Sequence, residues 1–463
     1  MIHVQSTLSP FNELRRDLEG ALLEPHERGF AEAAQGWSLG HQHRPAAVVI
    51  AQCSADVVAG VQFAQIHGLP VAVQATGHGF VRAADGALLI NVSAMNAVTV
   101  DPVTHTATVQ AGATWAQVLE AAHAHGLTGL VGDTPSVGAV GYTLGGGLGW
   151  FARKYGLGCD ALLAAQVVTP DGVLRRVNAT LEPELLWGLR GGAGGLGVVT
   201  EMTIALYPER TVTAAQIVFP LEQARDALRA YRDLLGSAPV ELSSRAVLMH
   251  GPDVEMLPPF VRGRSALIVQ AVYSGSEAAA RAALAALERI PGSIAQVVSH
   301  VPPTKLGEFF GAAPAPMHSI GRAEQLSALS DEAINAILGF VQEPPAPFYL
   351  LEVRHMGGAI ARVSDTHTAF SHRRAAFLVN YHALVFAPFV QAVSEASVAA
   401  FTAALEPLAT GAIMPNFLNA DEGVARDLAA YPGANLARLA ALKARVDEAN
   451  TLRFARTPGS RIG

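Results

Sequence analysis

Glycine constrains this chain more than any other residue. There are 44 glycines in 463 residues, and they crowd between about residue 75 and residue 197. Each glycine costs backbone entropy on folding and supplies no side chain to pack. A dense cluster therefore makes a poor helix and a poor strand. What it offers is backbone that a ligand can approach without a Cβ in the way. The densest run is Thr134-Pro135-Ser136-Val137-Gly138-Ala139-Val140-Gly141-Tyr142-Thr143-Leu144-Gly145-Gly146-Gly147-Leu148-Gly149. The interspersed Val, Leu and Tyr sit badly with a floppy loop, so we read this run as ligand-contacting backbone.

Two further segments share the region. Gly192-Ala193-Gly194-Gly195-Leu196-Gly197 satisfies GxGxxG, but a Rossmann fingerprint must follow a strand and open a helix. Here helix-like Glu184 to Arg190 precedes it and strand-like Val198 to Ala205 follows. The order is reversed, so the motif reads as a tight glycine turn whose exposed amides can still meet a cofactor. His78 lies between Gly77 and Gly79 after the strand-like run Val71 to Gln74. A lone histidine is usually structural, but flanking glycines at a strand end leave the imidazole accessible. The pairs His41 with His43 and His123 with His125 bring no further ligands, and HExxH is absent, so no metal site is expected. No P-loop or GxSxG nucleophile elbow occurs.

The rest of the chain sets the frame. Hydrophobic residues make up 50% and charged residues 15%, against ~25% charged in typical domains. That balance excludes disorder, and the length suggests two or three domains. No uninterrupted apolar run reaches the ~18 residues of a membrane span. The start, Met1 to Gln5, lacks a basic region before an apolar core, so no signal peptide is expected. A net charge of −7 argues against nucleic acid. Two cysteines, Cys53 and Cys159, make no disulfide framework, and a reducing cytoplasm is the expected setting.

Locally, Ser54 reads as the N-cap of a helix from Ala55 to His67, and Thr114-Trp115-Ala116-Gln117 as a capping box. Leu88 to Asn91, Val98 to Asp101 and Thr106 to Ala111 read as strands. From about residue 208 glycine thins out. Helical segments (Leu221 to Leu235, Glu277 to Leu287) then alternate with strands (Ala266 to Tyr273, Phe348 to Arg354), and Glu343 to Pro347 is a Pro-rich loop. This is the pattern of an α+β domain, with helices on one face of a mostly antiparallel sheet.

Taken together, Val73 to Gly79, Thr134 to Gly149 and Leu185 to Thr200 resemble three segments of one family. It is the FAD-linked oxidases with a PCMH-type FAD-binding domain, the berberine bridge enzyme-like group. Glu352 to Gly358 and Leu442 to Asp447 match weaker landmarks. The resemblance implies an α+β, two-domain flavoprotein: an FAD-binding domain over residues 1–206, a substrate-binding domain over 207–408, and a segment 409–463 returning to the first. It implies FAD contacts from Gln74, Ala75, Thr76, Gly77, His78, Gly79, Thr134, Pro135, Ser136, Val137, Gly138, Val140, Gly141, Tyr142, Gly145, Gly146, Gly194, Gly197, Val198, Val199 and Asn416. His78 stands where the family bonds the flavin 8α-methyl. Thr134 stands where bicovalent members have cysteine, so one covalent bond is expected. Val137 stands at the oxygen gatekeeper, where Val goes with oxidase activity.

The departures matter as well. Gln74 and Thr76 replace the usual Arg and first Gly of the histidine motif. Gly195-Leu196 replaces Asn-Phe, and Met414-Pro415-Asn416 lacks the family's tyrosine base. The base must then come from elsewhere. Strand alternation puts Glu352 and Arg354 on one face, where a carboxylate in an apolar cavity would have a raised pKa; the alternative is a surface ion pair. Tyr142 is a second polar candidate. The expected activity is oxidation of a small molecule, a secondary metabolite, with O₂ as the second partner; a homodimer is compatible with it. A cyclase or isomerase holding FAD without net oxidation is the rival. All four tryptophans precede residue 207, which disfavours a sugar-stacking substrate domain.

Overall fold

The computed structural model describes residues 10–460 apart from 41, 80, 81, 256, 258, 313, 314, 344, 420 and 421. The expectations on Met1 to Gln5, on His41 and on Pro344 fall outside the described residues.

Three sheets are formed among the described residues. The first joins β1 (Ala21–Leu23), β2 (Ala47–Ile50), β3 (Val71–Gln74) and β4 (Leu88–Asn91) in the order β1-β2-β4-β3. β4 runs parallel to both β2 and β3. All four of its residues are buried, as a parallel strand covered on both sides requires. The helix Ser54–His67 packs against this sheet and ends at Gly68, which takes the left-handed conformation. Ser54 is the first helical residue and its side chain makes no cap. The buried Asp56 carboxylate instead accepts the amides of Glu19, Gly20 and Gln52.

The second sheet, antiparallel throughout, joins β5 (Val98–Asp101), β6 (Thr106–Gln110), β7 (Leu162–Val168), β8 (Leu174–Asn178) and β9 (Val198–Ala205) in the order β5-β6-β9-β7-β8. Beside it the helix Trp115–His123 starts with the full capping box, Thr114 and Gln117 each bonding the other's backbone.

The third sheet has seven strands: β10 (Val212–Pro220), β11 (Leu242–His250), β12 (Ser265–Tyr273), β13 (Ala295–Val301), β14 (Ser319–Leu326), β15 (Tyr349–His355) and β16 (Phe377–Leu384). Their order is β13-β10-β12-β11-β15-β16-β14, and each pairing is antiparallel. Helices Ala224–Leu235, Glu277–Glu288, Asp331–Val341 and Gln391–Leu405 bury Leu228, Leu284, Ile337 and Phe401 in one core with the inner residues of this sheet. The expected α+β architecture is therefore present.

One expectation is corrected. The helical run Pro388–Leu408, 21 residues at mean hydropathy 1.2, is long and apolar enough by length and composition to cross a bilayer. Here it packs against the third sheet, with Ser394, Ser397, Phe401 and Leu405 buried and Ser397 accepting the Tyr381 hydroxyl at 2.8 Å.

The last stretch of chain returns to the glycine-rich region. From the helix Gly433–Val446, the Lys443 ammonium donates to Gly195 O at 2.8 Å and pairs with Asp447 at 2.5 Å. Thr457 Oγ1 accepts the Gly195 amide at 2.8 Å and donates to Gly192 O at 2.5 Å. The turn 192–197 is thus pinned from behind.

Candidate active site

A single cleft of about 2110 Å³ runs between the glycine-rich segments and the third sheet. Ligand sites commonly occupy ~300–1,000 Å³, so this space suits a large ligand together with a second, smaller one. One wall is backbone. Gln74 to Gly79 leave the carboxyl end of β3, and Thr134, Val137, Gly138, Val140, Gly141, Tyr142, Gly145, Gly194, Gly197, Val198, Val199 and Asn416 line the same wall. Gly77 must be glycine: its φ is +73°, and a Cβ there would lie 2.4 Å from Gly36 Cα. A Cβ on Gly79 or Gly141 would meet nothing within 4 Å, and on Gly194 (φ +83°) only a Leu144 methyl at 3.9 Å. These glycines front open space.

Three residues expected at this wall do not line it. Pro135 packs on Gly307. Gly146 is buried in its turn, its carbonyl accepting the Cys159 amide at 2.9 Å. Ser136 is exposed, although its Oγ lies 3.4 Å from His78 Nε2.

His78 is held on two sides. Its ring stacks on Trp37 at 4.3 Å and 16°. Its Nδ1 lies 2.9 Å from Thr76 Oγ1, which also accepts the Gly138 amide at 3.2 Å. Burial lowers its pKa to about 4, so the imidazole is neutral at ordinary pH.

The opposite wall is a polar seam across the sheet. Gln216, Gln270, Arg245, Glu352, Arg354, Asn380 and His382 all line the cleft. Cross-strand register makes them neighbours: Gln216 opposes Gln270, Arg245 opposes both Gln270 and Arg354, and Glu352 opposes Asn380. Gln270 Nε2 donates to Gln216 Oε1 at 2.8 Å, and Arg245 Nε to Gln270 Oε1 at 2.7 Å. Arg245 Nη1 reaches Glu352 Oε1 at 2.5 Å, and Arg354 Nη2 reaches Glu352 Oε2 at 2.7 Å. Asn380 Nδ2 lies 3.4 Å from Glu352 Oε2 and 2.9 Å from His382 Nε2. Asp133, from the glycine wall, pairs with Arg245 at 2.9 Å and also with Arg354.

The expected bases are therefore corrected. Glu352 is not a surface ion pair, since it is buried and faces the cleft. Burial alone would raise its pKa, but Arg354 and Arg245 outweigh that and hold the carboxyl well below its usual range. Burial also opposes the Arg354 charge, and Asp133 and Glu352 reverse that, leaving its pKa raised. Tyr142 lines the cleft, but its hydroxyl is buried without a hydrogen-bond partner among the described residues, close against Gly132 and Gly149. Burial raises its pKa well above the usual phenol value, which keeps the hydroxyl protonated. Asp133, Gln216, Arg245, Gln270, Asn380 and His382 are the residues that sequence reasoning missed. The available signal was a lone polar residue inside an otherwise apolar strand, as in Ala266-Leu267-Ile268-Val269-Gln270-Ala271-Val272.

The glycine wall, His78 and the facing polar sheet form one cleft with room for a large flat ligand. Residues 45–178 match the family of the FAD binding domain. The chain is 27% identical to the FAD-linked oxidoreductase YvdP of Bacillus subtilis, over 94% of this chain and 97% of that one. It is 27% identical to glucooligosaccharide oxidase of Sarocladium strictum, over 81% and 78%. The crystal structure of 6-hydroxy-D-nicotine oxidase from Arthrobacter nicotinovorans superposes with a TM-score of 0.84 at 22% identity, covering 95% and 98%. This chain is an FAD-linked oxidoreductase with the two-domain fold of the berberine bridge enzyme-like oxidases.

The residues present fit FAD. The open glycine faces leave room for a flat ring, and three buried polar atoms of the cleft, Gln74 Oε1, Asn380 Oδ1 and His382 Nδ1, have no partner among the described residues. No cluster of metal-binding side chains occurs among the described residues.

Proposed function

We propose that this chain is an oxidase of a small organic molecule, a secondary metabolite of aromatic or polyketide-like build. The observation that carries the reading is the polar seam set across one cleft from the glycine wall. FAD bound along that wall supplies a two-electron acceptor, which O₂ returns to its oxidised form with release of H₂O₂. The chain's own residues bind and orient. His78 tethers the cofactor by one covalent bond, since Thr134 cannot serve as a second, thiolate tether. Val137 leaves the oxygen approach open. Val247, Met249, Phe260, Ile268, Phe348 and Leu350 give the substrate side of the cleft an apolar surface, suited to a ring system rather than a chain of sugars. Arg354 and Glu352 fix the seam, and Asn380 Oδ1 and His382 Nδ1 are left to orient the substrate's polar group.

Candidate alcohols, amines and phenols added without air should bleach the flavin absorbance, and air should restore it with stoichiometric H₂O₂. Substrate turnover that consumes no O₂ would instead establish a second reading, a cyclase or isomerase on the same fold. That reading is favoured by one observation: Glu352 is held in ion pairs with Arg245 and Arg354, and the Tyr142 hydroxyl has no partner among the described residues through which to pass a proton. The tether is tested separately. Acid-precipitated protein should stay yellow, and His78→Ala should give a colourless pellet with free FAD.

A further inference from the structure

We propose that Asp133 is a specificity-determining residue: it completes a closed ring of charge, so that the cleft takes an uncharged polar group and refuses a carboxylate. The inference rests on the reading of the polar seam as the substrate's wall. Two guanidinium groups and two carboxylates make the ring. Glu352 spans both arginines from the sheet, with Oε1 on Arg245 at 2.5 Å and Oε2 on Arg354 at 2.7 Å. Asp133 closes the ring from the glycine wall, its single Oδ2 serving Arg245 at 2.9 Å and Arg354 as well. The charges cancel, two against two. The other arginines of the cleft are also matched, Arg322 with Glu324 at 2.8 Å and Arg456 with Asp427 at 2.9 Å. No lysine lines the cleft among the described residues. An entering carboxylate would give up its water and meet no free cation, a far larger penalty than an amide, hydroxyl or carbonyl carries.

Asp133, rather than Glu352, sets this rule. Its side chain is 24% exposed against 7% for Glu352, and it comes from outside the sheet. The guanidinium groups do not depend on it for their places. Arg245 donates from Nε to Gln270 Oε1 at 2.7 Å and lies over the Trp150 ring at 4.9 Å. Arg354 donates twice to Glu352 Oε2, from Nε at 3.0 Å and Nη2 at 2.7 Å, and lies over the Phe417 ring at 5.6 Å. Without the Asp133 carboxylate both stay where they are, with one positive charge unmatched at the cleft. Two fixed guanidinium groups then form a site for a planar anion, held by charge-assisted hydrogen bonds.

The test is calorimetric titration of the full-length, flavin-loaded protein with benzoate and with benzamide, its uncharged isostere. Wild type should favour benzamide over benzoate by roughly tenfold. Asp133→Ala should invert that order and bind benzoate roughly tenfold more tightly than wild type does, the worth of one charge-assisted hydrogen bond. Asp133→Asn, which keeps the side chain's shape, should gain benzoate affinity in the same direction. Benzoate should also raise the unfolding midpoint of Asp133→Asn and leave that of wild type unmoved. Wild type that shows no preference for benzamide overturns the proposal, whether or not the variants fold. So does an Asp133→Ala protein no more receptive to benzoate than wild type. A flavin that no alcohol, amine or phenol bleaches overturns the oxidase reading instead, a distinct outcome.

Discussion

A carboxylate buried among apolar groups titrates high; Glu352 is buried beside two guanidinium groups and titrates low. Its native pKa lies below the unfolded value of about 4.5. Its stabilising contribution is therefore fully present above that pH and lost as pH falls below it. Urea midpoints followed from neutral pH to about pH 3 should fall less steeply for Glu352→Gln than for wild type. At neutral pH the same variant should cost on the order of 3–5 kcal/mol, because it strands buried charge. His78 supplies a second pH test. Burial moves its pKa from 6.5 to about 4, so the neutral ring needed for attachment persists in mild acid. The rate of flavin attachment should stay level from roughly pH 8 to roughly pH 5.5. A break near the ordinary histidine value would count against this environment.

At the level of single elements, the helix Trp115–His123 owes its start to the reciprocal bonds of Thr114 and Gln117. Thr114→Ala should lower unfolding stability by about 1 kcal/mol and leave flavin content unchanged, as checked by denaturant titration and absorbance. This box was legible in four consecutive residues because its physics is local. So were β3, β4, β5 and β9, whose limits follow from short apolar runs between turn residues. Ser54 misled because a good capping residue does not cap when Asp56, two positions on, already holds the neighbouring amides. The apolar run before Leu408 is passed over because Glu395 and Glu406 interrupt it, although two charges in that length leave it apolar on average. At the site, the glycine wall and His78 could be read from sequence because each segment is contiguous. The polar seam could not: its members come from β10, β11, β12, β15 and β16, and only strand order makes them neighbours.

Across the whole molecule, Asp133 is the carboxylate through which the glycine wall grips the third sheet, by way of Arg245 and Arg354. Asp133→Asn should destabilise the protein by about 1–3 kcal/mol and raise its sensitivity to protease, measured with flavin bound; unchanged resistance would show that the two walls hold together without this carboxylate. The seam has a consequence for folding as well. Side chains alternate across a strand, so sliding any of its five strands by one residue would turn Gln216, Gln270, Arg245, Glu352 or Asn380 down among Leu228, Ile337 and Phe401, and lift Ala246, Val269 or Val353 into the cleft. An all-apolar sheet of this width would tolerate such slips cheaply. Here each slip strands a charge or an amide in oil, so the row that meets the substrate also works as a key, admitting one alignment of the strands and rejecting its neighbours.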